Sequence, residues 1–202
     1  MPRDGSANRQ RILDAAERLV IDNGFNATTL DQVIAAAGTS KGAFFHHFDG
    51  KAALARALVE RYAAGDVAHL EGALEATAGI DDPAERALAF VQVFVDGADE
   101  LMQEQSSCLY AAMLAERQLI VDGTTSSIRD AATAWRVEFA KILRAAFDAR
   151  APVPDIDVDD LSDHLFATFE GGFVLARALE DPSAMRSQLV VYRQLLSAVL
   201  AA

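Results

Sequence analysis

The sequence is poor in the features that mark secreted or membrane proteins. It has one cysteine, Cys108, in 202 residues, so no disulfide can form within the chain, and a single thiol is typical of a reducing compartment. No uncharged apolar run reaches the roughly 18 residues of a membrane helix, and no basic-then-apolar leader opens the chain. We therefore expect a cytoplasmic protein that has no membrane partner.

Motifs for catalysis are also missing from the sequence. The four histidines do not cluster with Cys or Asp at ligand spacing, and His46 and His47 diverge because neighbours on a helix point in different directions. There is no glycine-rich phosphate loop and no nucleophile–base motif. We expect neither a metal nor another cofactor, and we expect that the protein is not an enzyme.

Basic residues are outnumbered, with 18 Lys and Arg against 30 Asp and Glu, and the formal net charge is −12. Taken over the whole chain, this charge argues against a nucleic-acid partner. The excess is uneven, however. Residues 1–62 hold eight basic and seven acidic side chains, whereas residues 63–202 hold ten and twenty-three. The near-neutral N-terminal segment can still present a local cationic face.

Apolar residues make up 51% of the chain and recur at helical spacing nearly throughout. No run alternates with period two over the length of a strand, so the sequence predicts an all-α protein. Short helices are predicted near the N-terminus and longer ones beyond it, with breaks at 150–156 and at Asp181-Pro182. We expect a domain of short helices over residues 1–62 and a larger helical domain over residues 63–202.

Capping signals divide the N-terminal segment into short helices. The first predicted helix ends at Asn23-Gly24, and Thr28 is the predicted N-cap of the second. Gly38 ends that helix, and Ser40 is placed to cap a third helix of two turns. Asp49 is the predicted cap of a fourth. A tight glycine-containing turn between two short helices is typical of a helix-turn-helix.

The stretch GTSKGAFFHHF, residues 38–48, has the composition of a helix that reads DNA. The first turn of such a helix faces base edges in the major groove, and small residues there let the backbone approach closely. Lys41 can donate to guanine or to a phosphate. Gly42 costs about 1 kcal/mol relative to alanine in a helix interior, and close approach would explain it. Phe44 and Phe48, four residues apart, are predicted to fill the core beneath.

Further donors flank this helix. His47, Lys51 and Thr29 are predicted to reach phosphates. Lys51 lies in the first turn of the fourth helix, where a cation opposes the helix dipole unless both face the same anion. A generic three-helix packing unit is the alternative interpretation of these residues.

Residues 28–54, TTLDQVIAAAGTSKGAFFHHFDGKAAL, resemble the DNA-binding segment of the Tet-repressor (TetR) family of bacterial transcriptional regulators. The matching positions are Ile34, Ala35, Ala37, Gly38, Ser40, Lys41, Gly42, His47, Phe48, Lys51 and Leu54. CLYAAMLAE (108–116) and FEGGFVLARAL (169–179) are weaker echoes of the family. The resemblance implies an all-helical homodimer that binds a palindromic double-stranded operator and carries a small-molecule effector in its C-terminal domain.

Three positions depart from the family pattern. Phe45 stands where a tyrosine hydroxyl usually donates to a phosphate, so only packing of the ring on the backbone is left. Thr39 stands where valine is usual and adds a hydroxyl, and Gly50 replaces the common serine. The predicted DNA-binding residues are therefore Thr29, Thr39, Ser40, Lys41, Gly42, Ala43, Phe45, His47 and Lys51.

The second half offers candidates for an effector pocket and a dimer interface. A mostly apolar pocket, with ordinary core packing as the alternative, is predicted from Phe94, Met102, Tyr110, Met113, Trp135, Phe139, His164, Phe169 and Phe173. Gly171-Gly172 inside a helix predicts a close helix crossing at a dimer interface, with a local kink or room for a bulky neighbour as the alternative. The same interface is predicted to include Leu175, Leu189 and Leu196. Cys108 is either an inert buried thiol or an electrophile sensor.

The sequence predicts a ligand-responsive transcriptional repressor that binds its operator as a dimer and is released by a small molecule. The alternative is a constitutive or architectural DNA-binding protein without a small-molecule ligand. An acidic segment as long as residues 63–202 favours the regulator, because DNA bending needs no such domain.

Overall fold

A computed structural model describes residues 5–149 and 155–201. Within these ranges the chain forms ten helices and no strand, which confirms the prediction of an all-α protein. The helices are α1 (Gly5–Asn23), α2 (Leu30–Ala36), α3 (Lys41–His47), α4 (Lys51–Ala76), α5 (Pro83–Glu104), α6 (Leu109–Leu114), α7 (Arg117–Val121), α8 (Ser126–Asp148), α9 (Val158–Leu179) and α10 (Ser183–Ala201). Most of the predicted break at 150–156 lies outside the described residues.

The helices group into two compact units. The first unit contains the described residues up to Ala64 together with Ser107–Arg129, so α6 and α7 belong with α1–α3. The second unit contains Gly65–Ser106 and the described residues from Asp130 onward. Nothing in the sequence indicated that Ser107–Arg129 belongs with the N-terminal helices, and the predicted division at residue 62 stays a prediction.

Local capping explains where α2 begins. Thr29 is its N-cap: the Thr29 hydroxyl accepts from the Gln32 backbone N–H, and the Gln32 side chain accepts from the Thr29 N–H. Thr28, the predicted cap, is buried instead, and its hydroxyl donates to the carbonyls of Leu19 and Gly24 at 3.1 and 2.9 Å. The prediction was therefore one residue early, because either threonine offers the oxygen that a cap needs.

The starts of α3 and α4 follow the same chemistry. Ser40 caps α3 as predicted, accepting from the Ala43 N–H at 3.2 Å. The first backbone hydrogen bond of α4 runs from the Leu54 N–H to the Gly50 carbonyl at 3.0 Å. Gly50 therefore occupies the N-cap position of α4, and the prediction that Asp49 caps this helix is wrong.

The core of the first unit fixes the orientation of α3. Phe44 and Phe48 are 0% and 3% exposed, and their ring centroids lie 5.6 Å apart. On α4, the Arg61 guanidinium pairs with Asp14 and Glu17 of α1, each at 2.5 Å. Because the buried rings of Phe44 and Phe48 hold one side of α3 against the core, the opposite side of that helix is presented to solvent.

In the second unit α10 packs against both α9 and α5. A Cβ atom at Gly172 of α9 would lie 2.6 Å from Met185 Sδ and 3.3 Å from Met185 Cα of α10. The close helix crossing predicted at Gly172 is therefore made within the chain. The Tyr192 hydroxyl also joins these helices, donating to the Leu161 carbonyl at 2.8 Å, and burial raises the pKa of Tyr192 well above its ordinary value of 10.

We expect Gly172→Ala to lower the free energy of unfolding by about 1–3 kcal/mol, because the added methyl overpacks the crossing with α10. Chemical denaturation measures the loss. Gly171→Ala is the matched control: Gly171 is exposed and a Cβ there meets nothing within 4 Å. The control should gain up to about 1 kcal/mol from helix propensity. Equal stabilities for the two variants would show that α10 does not constrain Gly172.

Candidate nucleic-acid interface

One side of α3 is exposed and the other is buried. Lys41, Gly42 and Phe45 are exposed, with Phe45 at 45%, while Ala43 and His47 are half-buried. A Cβ at Gly42 would meet nothing within 4 Å, so packing within the protein does not require glycine there. Of the first-turn residues predicted to face base edges, Ser40, Lys41 and Gly42 are therefore exposed and Ala43 is half-buried.

Hydroxyl groups around α3 have partners inside the first unit. Thr39 Oγ1 donates to Asn8 Oδ1 at 3.1 Å, which ties the turn before α3 to the start of α1. Ser40 and Thr29 are both engaged as helix caps. Each of these oxygens keeps lone-pair capacity, but their first task is to hold α2 and α3 in place.

Lys41 pairs with Asp31 of α2 through a 3.7 Å contact, and their side chains are 71% and 84% exposed. A pair this exposed contributes little to stability and is easily exchanged for another anion. The Lys41 ammonium is therefore free to leave Asp31 for a phosphate or a base.

The Lys51 ammonium contacts the turn between α1 and α2. Its Nζ donates to the Asn26 carbonyl at 3.3 Å and lies 4.4 Å from the centroid of the Phe25 ring. Burial lowers the pKa of Lys51, and the nearby Glu116 carboxylate partly opposes that effect. Lys51 thus braces the turn that leads into α2, and this turn includes Thr29 at its end.

Four further polar residues of the first unit were not among the residues predicted from the sequence. Asn26 Nδ2 donates to Glu116 Oε2, 90 residues away, and no local pattern could have indicated that pair. On α1, the Arg9 guanidinium lies 5.4 Å from the Phe48 ring centroid, and Arg11 Nη2 donates to Asn8 Oδ1. Arg9 and Arg11 are exposed cations, one and three residues after Asn8. As basic residues of the near-neutral N-terminal segment, they could have been named as candidates from the sequence.

The residues predicted to form an effector pocket lie in two places. Tyr110 and Met113 are buried in the first unit, where Tyr110 packs 5.1 Å from Tyr62. The others belong to the second unit: Phe94, Met102, Trp135, Phe139, His164, Phe169 and Phe173. The nine residues therefore do not form one cluster within either unit.

Most of the second group packs as an aromatic cluster. Phe94 lies 5.0 Å from Trp135 and 5.5 Å from Phe169, and Phe139 stacks on Phe90 at 4.9 Å. Trp135 Nε1 donates to Asp66 at 3.1 Å. His164 is exposed and contacts Tyr192 instead, at 5.6 Å. The assignment of these residues to an effector pocket stays a prediction.

The second unit also has an open groove of about 370 Å³ that sequence reasoning did not indicate. It lies along the end of α4, α5 and α10, and its walls combine apolar residues with two carboxylates and one cation. The lining residues are Ala76, Thr77, Ile80, Glu85, Leu88, Ala89, Gln92, Val93, Asp96 and Arg193. None of the predicted pocket residues is among them.

The predicted dimer residues differ in exposure. Leu189 and Leu196 are 0% and 1% exposed within the chain, so their prediction as interface contacts is corrected: helix packing inside the subunit already buries them. Leu175 and Gly171 are exposed. Other exposed apolar residues on the same two helices are Val174 and Leu179 of α9 and Val191 and Leu195 of α10.

Cys108 is buried at the start of α6, where its Sγ accepts from the Tyr110 N–H at 3.3 Å.

The part of the chain that the structure describes holds no group of three His, Cys, Asp or Glu side chains arranged to bind a metal. Among the same residues, no helix combines the length and hydropathy needed to cross a bilayer.

Two sequence models of known families match the chain. One, described as bacterial regulatory proteins of the tetR family, matches residues 12–58, and the other, the tetracyclin repressor-like C-terminal domain, matches residues 83–190. The transcriptional regulator AcuR of Cereibacter sphaeroides is 24% identical over 192 residues, covering 91% of this chain and 83% of its own length. The HTH-type transcriptional repressor AcnR of Corynebacterium glutamicum is 37% identical over 79 residues, which cover 38% of this chain and 42% of the length of AcnR.

Solved structures share the fold. The regulatory protein TetR of Rhodobacter sphaeroides superposes with a TM-score of 0.74 at 22% identity, covering 92% of this chain and 96% of its own. A TetR-family regulator of Agrobacterium tumefaciens gives 0.77 at 20% identity, covering 95% and 98%. Reduced NemR of E. coli gives 0.67 at 20% identity, covering 93% and 96%.

Proposed function

Because this chain belongs to the tetR family of bacterial regulatory proteins, we propose that it represses transcription as a homodimer on a palindromic operator and is released by a small molecule. That the chain is a transcriptional regulator with a DNA-binding helix-turn-helix follows from the family. The finer proposal rests first on the exposed face of α3, where Lys41, Gly42 and Phe45 are exposed and a Cβ at Gly42 would meet nothing within 4 Å.

On DNA, α3 enters the major groove with its first turn against the base edges. Lys41 leaves Asp31 to donate to guanine or phosphate, and Gly42 lets the backbone approach. Phe45 and His47 face the sugar-phosphate backbone. Thr29, Thr39, Ser40, Ala43 and Lys51 complete the proposed surface.

The dimer forms through α9 and α10, which pack against each other in the second unit. Both helices expose apolar side chains, with Val174 63% and Leu195 57% exposed. Exposed apolar residues at helical spacing on neighbouring helices are what a symmetric helical interface buries. The dimer places two copies of α3 about one helical turn of DNA apart, roughly 34–36 Å.

The effector binds in the second unit and favours a subunit arrangement in which the two recognition helices no longer match the operator. Such coupling typically amounts to about 1–3 kcal/mol. The match to the tetracyclin repressor-like C-terminal domain supports this role for residues 83–190. The name of AcnR, a repressor, supports repression. The site of action is the cytoplasm, where the operator is.

Selection of duplexes from a random library by the purified protein tests the proposal. We expect a palindromic consensus, one dimer bound per duplex, and repression of a reporter that carries the selected site near its promoter. Small molecules that raise the melting temperature of the protein are then tested for release of the duplex. A consensus without two-fold symmetry, or one monomer per site, would contradict the dimeric mode of binding.

Phe45→Tyr should tighten DNA binding several-fold, up to about tenfold, without changing the sequence preference. The added hydroxyl gains a phosphate acceptor, and a hydrogen bond to a charged group contributes about 1.5–3 kcal/mol before the cost of desolvation. Since Phe45 is 45% exposed, the hydroxyl stays solvated in the free protein, and the melting temperature should not change. Fluorescence anisotropy measures the affinity. Unchanged affinity would place residue 45 away from the DNA backbone.

A further inference from the structure

A chain of polar contacts joins the segment between α6 and α7 to the helix-turn-helix. Glu116 Oε2 accepts from Asn26 Nδ2 at 2.5 Å, and the Asn26 carbonyl accepts from Lys51 Nζ at 3.3 Å. All three residues belong to the first unit. Asn26 thus uses its side chain toward Glu116 and its backbone toward Lys51, so that one turn is held from two sides.

This turn sets the start of α2. It runs from Gly24 to the cap residue Thr29, and its Phe25 ring is buried and lies under the Lys51 ammonium. Asn26 itself is exposed, so no packing of its own side chain holds it. Without Glu116, the amide of Asn26 would lose this partner, and the carbonyl that accepts from Lys51 would be held only through the neighbouring Phe25 and Thr28.

We propose that Glu116 is a positioning residue for DNA binding: through Asn26, it holds the Lys51 ammonium at the N-terminus of α4, where that ammonium contacts a phosphate. The inference rests on the proposed phosphate contact of Lys51. Only one of the three N–H donors of Lys51 is used on Asn26, which leaves two for a phosphate oxygen. The carboxylate of Glu116 belongs to a segment more than fifty residues beyond the helix-turn-helix in sequence, so it links that segment to DNA affinity.

A purely electrostatic role of Glu116 predicts the opposite change in DNA affinity when its charge is removed. A carboxylate near a DNA-binding face repels phosphates, so removal of its charge should tighten binding if Glu116 acts only at long range. A positioning role predicts weaker binding when the acceptor is removed and little change when it is kept. Glu116→Ala and Glu116→Gln therefore separate the two effects, because glutamine has no charge but retains an acceptor oxygen for Asn26.

The experiment measures the affinity of the full-length protein for a short duplex of random sequence over a series of salt concentrations. One phosphate contact contributes a slope of about 0.9 in log K against log salt, or about fivefold in affinity near 0.15 M salt. Lys51→Ala should lower the affinity about fivefold and reduce the salt slope by about 0.9. We expect Glu116→Ala and Asn26→Ala to lose up to the same fivefold with a slope reduced by about one, and Glu116→Gln to stay near the wild type.

The Lys51→Ala/Glu116→Ala double variant should bind like Lys51→Ala alone, since both changes act on one contact. Glu60→Gln, which removes a charge from an exposed glutamate of the same unit, controls for net charge. Equal tightening by Glu116→Ala and Glu116→Gln, or an unchanged salt slope in Glu116→Ala, would overturn the inference. So would an unchanged slope in Lys51→Ala, which removes the contact that Glu116 is inferred to position.

These failures are distinct from failure of the proposed function. If the wild type binds no duplex, the proposed DNA binding is refuted and the inference with it. If the wild type binds and Glu116→Ala binds equally well with the same salt slope, only the positioning role is refuted. Melting temperatures of all variants are measured in parallel, and Glu116→Gln shows whether the fold tolerates loss of the charge.

Discussion

Gly42→Leu is expected to abolish operator binding while leaving the fold and the dimer intact. In the structure, Gly42 is exposed on the first turns of α3, and a Cβ built there meets no atom within 4 Å. The leucine side chain therefore fits in the free protein without a clash. Replacing a helical glycine also gains about 1 kcal/mol in helix propensity, so the variant should be at least as stable as the wild type.

The loss arises only on DNA. A leucine at residue 42 would stand between the α3 backbone and the base edges and would hold the helix out of the groove. Each good base contact contributes about 1–3 kcal/mol of discrimination, so losing two of them weakens operator binding by about thirtyfold to 10⁴-fold. Affinity for the selected operator is measured by anisotropy, and stability by thermal unfolding.

Gly72→Leu is the matched control, because Gly72 is also an exposed helical glycine whose Cβ would meet nothing within 4 Å. It lies on α4 in the second unit and should bind the operator like the wild type. Normal operator affinity in Gly42→Leu would show that Gly42 does not face DNA, and the proposed orientation of α3 would then be wrong.

The Val174→Glu/Leu195→Glu double variant is expected to be a folded monomer with operator affinity lower by about a hundredfold or more. Both side chains are more than half exposed in the single subunit, at 63% and 57%. Glutamate at these positions therefore costs the isolated subunit little. In a dimer it would bury two carboxylates per subunit without partners, and unpaired buried charge strongly disfavours association.

The lower operator affinity follows because a dimer connects the two recognition helices that bind the two half-sites. When two reading helices belong to one dimer, the second half-site is bound as an intramolecular event at an effective concentration of about millimolar. Separate monomers lose that advantage, which amounts to about 10²–10⁴ in affinity. Analytical ultracentrifugation gives the oligomeric state, and anisotropy gives the affinity for full and half operators.

Val137→Glu on α8 controls for the cost of a glutamate on the surface, because Val137 is 42% exposed in the same unit. This variant should remain dimeric and bind the operator normally. A double variant that remains dimeric at micromolar concentration would rule out the exposed sides of α9 and α10 as the interface. A monomeric wild type would rule out the dimer itself.

Several features of the DNA-reading segment could be predicted from the sequence because they depend on neighbours along the chain. The four-residue spacing of Phe44 and Phe48 puts both rings on one side of α3, and both are buried. Ser40 caps α3 because a serine oxygen lies within reach of the third N–H beyond it. The periodicity of apolar residues likewise predicted an all-α fold, since a helix presents one side every 3.6 residues.

Predictions of the N-cap from neighbouring residues were wrong where two adjacent residues could both occupy the cap position. Thr28 and Thr29 carry identical hydroxyls, and only the path of the chain out of α1 buries Thr28 and leaves Thr29 to cap α2. Asp49 is a good capping residue, but the backbone at Gly50 reaches the N-cap position of α4 instead. Such choices depend on chain direction at a few residues, which packing decides.

Contacts between distant segments were decided by the tertiary structure alone. The sequence marked Gly172, Leu189 and Leu196 as unusual or apolar, but could not show that all three are buried within the subunit. It also gave no indication that Glu116 lies beside Asn26, 90 residues away. Which helix sides meet depends on many weak contacts summed over the whole unit, and no short stretch of sequence contains that sum.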